Sequence, residues 1–548
     1  MLLSIIGFVI ILGPLVVVHE FGHFSFARLF NVKAEIFSIG FGPRIWSRKK
    51  GETEVRVSAI PLGGYVKLLG EDQSQDLPPE EQMRALHKQK AWKRFFIFFG
   101  GPLFNFLFAI LLFMAILLIG EQLPASVIGR IVHGSAAEKA GFQSGDRVTA
   151  VNGQPVHLFD DVLAPIFDSP NKPIHFQVFH PGQNQVSQIE IVPTIQEGFS
   201  VYGESTNVGE IEGLLPAARG NTLGISDPNS LAAKAGIHTG DQIVELNGEA
   251  ILSWEDIERA YAQAALGANL KMTIKPAKGE QNTAFSFPKT SQPGMVSEQM
   301  AADSGIYSSE LFVDKTVAKS PAEVIGVKSG DRLLAVGKQE VHSFFDLRDA
   351  VQRAGEKDGK VELAWDRGGK RITAIITPTA TSTRDALMKK SIQYTVGVVP
   401  NLSLVEPEKV TERILNPFKL LYKGTERMVI FSWRNLVSIQ KMFTGDVSVK
   451  SLGGPIMIGK IAGESLSHGL ISFLTTMAVL SIGLGVLNVL PVPVLDGGHL
   501  LLLGIESIRG RPLTMRQMEI IQGVGLSLIL LLMAVVMKND IMRLPFFD

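Results

Sequence analysis

Residues 16–26 read VVVHEFGHFSF: two histidines and a glutamate among bulky apolar side chains, with Ser25 the one other polar group. From Met1 to Val18 no residue is charged. The ionisable groups therefore come at the end of an apolar segment that, at about 1.5 Å per residue, crosses most of a bilayer core. The segment reads as a membrane helix. A cleaved secretory signal is the rival reading, but the basic N-terminal region and the small-residue cleavage site are both missing.

On a helix, positions i and i+4 share a face, so His19 and His23 can point their imidazoles at one ion, with Glu20 beside them. This is the His-Glu-x-x-His arrangement of zinc peptidases, in which two neutral imidazoles hold the ion and the glutamate is the general base. Ionisable residues within a span cost at least about 2.5–3.5 kcal/mol each at mid-bilayer, so three together call for a divalent cation as partner. The chain has no cysteine, which excludes disulfides, thiolate metal sites and cysteine nucleophiles. Catalytic zinc keeps three protein ligands and one open position, so one ligand is still to be found. Glu35, Glu52 and Glu54 lie in a polar loop. Asp496, in LNVLPVPVLDGGHLL (487–501), is the sole acidic group of a long apolar neighbourhood, with His499 a competing ligand from the same segment. Counted along their spans, His19 and Asp496 both arrive near the cytoplasmic leaflet, with Pro491 and Pro493 breaking the helix before Asp496.

With 548 residues, 46% of them hydrophobic, and zero net charge, the chain is too long for one domain and has no basic bias toward nucleic acid. Four spans are expected, at 1–27, 95–120, 470–499 and 516–538. The loop 28–94 between the first two carries a Lys/Arg excess and is cytoplasmic by the positive-inside rule. Both termini and the tract 121–469 are then outside, which fits a bacterial inner membrane with a periplasmic tract.

That tract repeats. SAAEKAGFQSGDRVTAVNGQPV starts at Ser135, SLAAKAGIHTGDQIVELNGEAI at Ser230 and SPAEVIGVKSGDRLLAVGKQEV at Ser320. Each copy has a small-residue helical turn, a Gly-Asp turn and a β-branched strand. The third has Gly337-Lys338 where the others have Asn-Gly. The repeats resemble PDZ domains of the circularly permuted bacterial type, over 122–210, 211–295 and 305–380. PDZ modules take extended peptides by strand addition; here peptide ligands or steric gating are both open. The segment 400–469, with its paired basic and aromatic residues, reads as amphipathic helices at the membrane interface. In the loop, Val55 and Val57 alternate with polar residues before a break at Pro61 and Gly63-Gly64, which reads as a membrane-associated β-hairpin with an accessible edge for an unwound substrate.

Taken together, HEFGH, GFGP (40–43), AIPLGGYVKLLGE (59–71), GGPLFN (100–105), SLGGP (451–455) and NVLPVPVLDGG (488–498) resemble the site-2 protease family of intramembrane metalloproteases. The resemblance implies a polytopic α-helical membrane protein with four transmembrane helices, carrying tandem α+β PDZ domains. It implies Zn2+ held by His19, His23 and Asp496, with Glu20 as base and Asn488, Pro491 and Pro493 near the substrate path. It also implies membrane-protein substrates, such as a truncated anti-sigma factor and remnant signal peptides. Three repeats depart from the two usual among proteobacterial members. The alternative is a PDZ-bearing receptor or scaffold with a structural metal, but structural zinc takes four protein ligands and the sequence supplies three.

Overall fold

The computed structural model describes residues 2–71, 77–181, 183–199, 205–279, 281–290, 294–357, 359–384, 390–445, 452–511 and 513–542. Ser451 of the SLGGP stretch lies outside the described residues. The chain divides into a helical unit, built mainly from 1–121 and 411–548, and a sheet-rich unit, 122–198 with 205–410.

Among the described residues of the helical unit, four helices are long and apolar enough to cross a membrane: Ile6–Leu29, Ala91–Ile119, Leu470–Val489 and Arg516–Met542. The first three share a core of Ile11, Leu15, Phe113, Ile116, Ala478 and Ile482. Such interfaces need small residues where backbones approach. Gly7 meets this need, since a Cβ there would lie 2.9 Å from the Ala462 backbone of the short helix Pro455–Ser467. The fourth helix is nearly unburied. It is tied at its far end by Asp540, whose carboxylate accepts from the amides of Gly454, Ile456 and Met457 at the start of that short helix. A 28-residue helix, Pro417–Thr444, is capped by the Asn416 side chain and buries Leu420 and Gly424 while exposing Phe418, Tyr422 and Phe443. Its amphipathic character agrees with the sequence pattern. The expected interfacial segment is shorter than 400–469, however, because Val398–Pro400, Leu404–Val405 and Lys409–Glu412 are strands.

Two further expectations are corrected. The segment 470–499 is not one broken span: the helix stops at Val489, and a separate helix runs Asp496–Arg509. Pro491 and Pro493 sit in the intervening loop, where missing amides prevent helical continuation. The residue before the turn into the new helix, Val494, is held at φ 80°, a strained conformation for a β-branched side chain. The second correction concerns the hairpin. Ala34–Lys50 and Thr53–Leu68 are bent strands, and residues 54–57 pair with 46–49 on one side and with 36–39 on the other. Val55 and Val57 therefore lie in an inner strand, with no free edge to offer. The edges are 44–50 and 64–68, because Gly64, Tyr65 and Val66 pair with Ile39, Ser38 and Phe37 from the opposite side. Period-2 alternation marks a strand but cannot say which of its two edges the chain later covers.

In the sheet-rich unit the repeat is structural. Three four-stranded sheets form around Arg147–Val151, Gln242–Leu246 and Arg332–Val336, each with the same strand order. The recurrent sequence features have one job each. Ser135, Ser230 and Ser320 cap the small-residue helical turns. Asp146, Asp241 and Asp331 of the Gly-Asp turns accept from the amides of Gln143, His238 and Lys328 at 2.7, 2.9 and 2.8 Å. Asn152, Asn247 and Gly337 all adopt positive φ, which is why asparagine and glycine interchange there. The expected repeat boundaries fall short. Leu214–Leu215 closes onto Arg130–Ile131, Tyr307–Ser308 onto Leu223–Gly224, and Val398–Pro400 onto Val313–Thr316. These closing strands are two or three residues long and carry too little pattern to be seen in sequence.

Candidate metal centre

Three side chains from opposite ends of the sequence converge. His19 and His23 are one turn apart on the first span, and Asp496 opens the helix after the PVPVL loop. The two Nε2 atoms are 3.2 Å apart; Asp496 Oδ2 is 3.2 Å from His19 Nε2, and Oδ1 is 3.4 Å from His23 Nε2. Among the described residues these three form a group able to hold a metal ion. A tetrahedral site with bonds of ~2.0–2.1 Å to nitrogen and oxygen has ligand-to-ligand edges of about 3.3 Å, and the observed separations straddle that value. Asp496 Oδ2 is buried and makes no hydrogen bond, although His19 lies within ion-pair distance. Lone pairs crowded so closely repel unless a proton or a metal ion lies between them; with tetrahedral spacing and nitrogen and oxygen donors, the residues present fit zinc.

Glycine makes the convergence possible. A Cβ on Gly22 would run into the Gly100 backbone, and one on Gly100 would lie 2.7 Å from the Gly22 carbonyl oxygen. A Cβ on Gly101 would be driven into His23 and would lie 2.7 Å from His19 Nε2. The HEFGH and GGPLFN stretches are thus two sides of one helix contact. Gly497 and Gly498 serve the same end, because a Cβ on either would meet backbone of residues 489–493. Beyond the convergent nitrogens, His23 Nδ1 is 2.8 Å from the Ile97 carbonyl oxygen, and His19 Nδ1 is 3.0 Å from Asn105 Nδ2.

The three side chains line a cleft of about 430 Å³ together with Glu20, Gly63, Gly64, Asn488 and His499. The edge strand 64–68 forms one wall. A Cβ on Gly64 would lie 3.1 Å from Glu20 Cγ, and Val66 of the same strand lines the cleft with Glu20. At the far end of this wall Glu71 accepts from the Leu68 amide at 3.3 Å, and burial pushes its carboxyl above the usual range. His499 stacks on Phe98, with ring centres 4.8 Å apart, and is not in the three-residue group. Glu35, Glu52 and Glu54 are paired with Lys67, Arg84 and Arg56. Pro493 backs onto Gly525 of the fourth helix. Asn105 and Glu71 were missed by residue-level reading, although each closes a quoted motif, GGPLFN and LLGE.

The profile of Peptidase family M50 matches residues 7–532. The chain belongs to peptidase family M50. Over its whole length this peptidase is similar to a Pasteurella multocida protein provisionally described as a zinc metalloprotease, with 31% identity and 99% of each chain covered. It is 29% identical to the regulator of sigma E protease of Haemophilus influenzae and 28% identical to the protease RseP of Yersinia pestis, again with 99% of each chain covered. A solved PDZ domain protein from Parabacteroides distasonis matches half of the chain and 95% of its own at 10% identity and a TM-score of 0.12, too slight to argue from. As a member of this family the protein is a site-2 type metalloprotease of the membrane.

Proposed function

We propose that this peptidase is a zinc-dependent endopeptidase of the bacterial inner membrane that cuts transmembrane segments, with His19, His23 and Asp496 as zinc ligands and Glu20 as general base. The observation that carries the assignment is the meeting of two histidine nitrogens and a carboxylate at metal-ligand spacing beside Glu20, in a cleft at the end of an apolar span. Zinc, when bound, supplies polarisation of the scissile carbonyl and a more acidic hydrolytic water. Glu20 takes the proton of the attacking water and returns it to the leaving amine. Asn488 lines the cleft, where its carboxamide can hydrogen-bond a strand-like substrate backbone. The substrate must be unwound to be cut, and the edge 64–68 replaces Val55–Ser58 as the strand that receives it. Gly64 keeps that edge close to Glu20, and Gly63 leaves room for the Phe41 ring. The exposed Phe41, Ile45, Trp46 and Ile60 give the hairpin an apolar tip suited to lipid.

In this reading the tract of three PDZ-like repeats and both termini are periplasmic, and the metal centre lies near the cytoplasmic leaflet. The substrates are single-span proteins, such as an anti-sigma factor already trimmed on its outer side, and remnant signal peptides. The repeats act on these as peptide-binding modules or as a steric gate. The test is reconstitution in liposomes with a single-span substrate. Cleavage stops with chelator, returns with zinc, and falls by about 10²- to 10⁴-fold in Glu20→Gln that still holds zinc. Cleavage that survives metal removal would sink the proposal.

A further inference from the structure

Asn105 of the second span is fully buried and faces the outer nitrogen of His19, with Nδ2 at 3.0 Å from Nδ1. Its other amide atom, Oδ1, is buried with no hydrogen-bond partner. Its backbone is fixed as well, because Ser481 of the third span donates to the Asn105 carbonyl oxygen at 2.8 Å. A neutral imidazole carries one proton. When Nε2 binds a metal that proton must sit on Nδ1, which becomes a donor and needs an acceptor. His23 already has one in the Ile97 carbonyl oxygen. His19 finds one only if the Asn105 amide turns by half a rotation about its last bond, which brings the orphaned oxygen to Nδ1.

We infer that Asn105 is a positioning residue for zinc that supports the His19 tautomer zinc binding needs. Its amide stands against Nδ1, and its oxygen accepts from Nδ1–H when His19 Nε2 ligates. An amide is suited to this because its oxygen accepts from Nδ1–H without adding a charge. A carboxylate offers the same acceptor, and an apolar side chain offers none. Partners of this kind fix ring orientation and ligand basicity, and removing one typically lowers metal affinity about 10- to 100-fold.

The inference rests on the zinc reading above, so the experiment separates the two. Zinc affinity of the full-length detergent-solubilised protein is measured by competition with a chromophoric chelator, for the wild type, Asn105→Leu and Asn105→Asp. The expected result is stoichiometric zinc in the wild type, a loss of about 10- to 100-fold in Asn105→Leu, and affinity at or above wild type in Asn105→Asp. Thermal unfolding of the zinc-stripped proteins should be similar for the wild type and Asn105→Asp, with zinc raising both midpoints. Absence of stoichiometric zinc in the wild type overturns the metal reading and this inference with it. Wild-type affinity in Asn105→Leu overturns the inference alone. Should Asn105→Leu fail to fold, Asn105→Asp decides: a tenfold loss of affinity there overturns the role, and retained affinity upholds it.

Discussion

Two buried polar clusters among the described residues, one in each unit, are built on opposite principles. In the sheet-rich unit, Glu310 accepts from Arg130 at 3.2 and 3.3 Å, from Arg219 at 2.8 Å and from the Phe344 amide at 3.2 Å. Arg219 in turn donates to Glu255 and Glu258 at 2.7 and 2.9 Å. Every charge there has an opposite charge, and the cluster links chain segments of all three repeats. At the metal centre two imidazoles and a carboxylate face one another, and buried oxygens of Asp496 and Asn105 make no hydrogen bond. The first cluster is complete as protein alone; the second turns its three donors toward one point, where a shared cation fits. Burial of charge by itself therefore does not mark a functional site; convergence of metal-ligating donors in a cleft is the more telling sign.

The largest effects that would break this contrast are at the metal centre. Asp496→Ala should remove stoichiometric zinc, measured by elemental analysis, and all detectable cleavage. Glu20→Gln should keep zinc and lose about 10²- to 10⁴-fold in turnover. Cleavage at the wild-type rate in either would place the chemistry elsewhere. Gly101→Ala should also lower zinc content and activity severely, because its methyl group occupies the space of the imidazoles; unchanged zinc content would show that the helices yield.

Stability should order the two clusters the other way. Glu310→Ala leaves two buried guanidiniums short of a partner and should cost about 3–5 kcal/mol in denaturant unfolding of the sheet-rich unit. In zinc-stripped protein, Asp496→Ala should cost less than about 1 kcal/mol, since it removes one acceptor from a group of acceptors. Equal costs would erase the distinction. The pH dependence gives a finer test. Burial alone would raise the Glu310 carboxyl, but Arg219 and Arg130 hold it below its ordinary value of 4.5. A depressed folded value means the contribution is whole above pH 4.5 and is lost as pH falls further, toward the folded value. Glu310→Gln should flatten that acid limb of the stability curve, read from urea midpoints. Smallest is the Asp540 cap, where Asp540→Ala should cost about 0.5–2 kcal/mol and loosen the fourth helix, read by hydrogen exchange of residues 454–457.

Much of the centre was legible in one dimension. His19, Glu20 and His23 lie within one turn, and Asp496 stands out as a lone acid in apolar surroundings, so spacing and the cost of charge in lipid single them out. The repeats were legible because Ser135, Asp146 and Asn152 and their counterparts recur at fixed offsets, each with a local hydrogen bond or backbone conformation to satisfy. Val55 and Val57 were misplaced because alternation is a property of one strand, while the free edge is a property of the finished sheet.

The sequence by itself determined what is local or periodic: the four apolar helices, the histidine pair on one helical face, and the turns and caps of three repeats. These follow from interactions within a few residues and from hydrophobic patterning, which any chain segment carries with it. Only the tertiary structure decided that the strand 64–68 walls the cleft, that Gly22 and Gly100 let two helices meet, and that Asn105 stands behind His19. Those facts depend on which distant backbones come into contact, and no single segment holds that information.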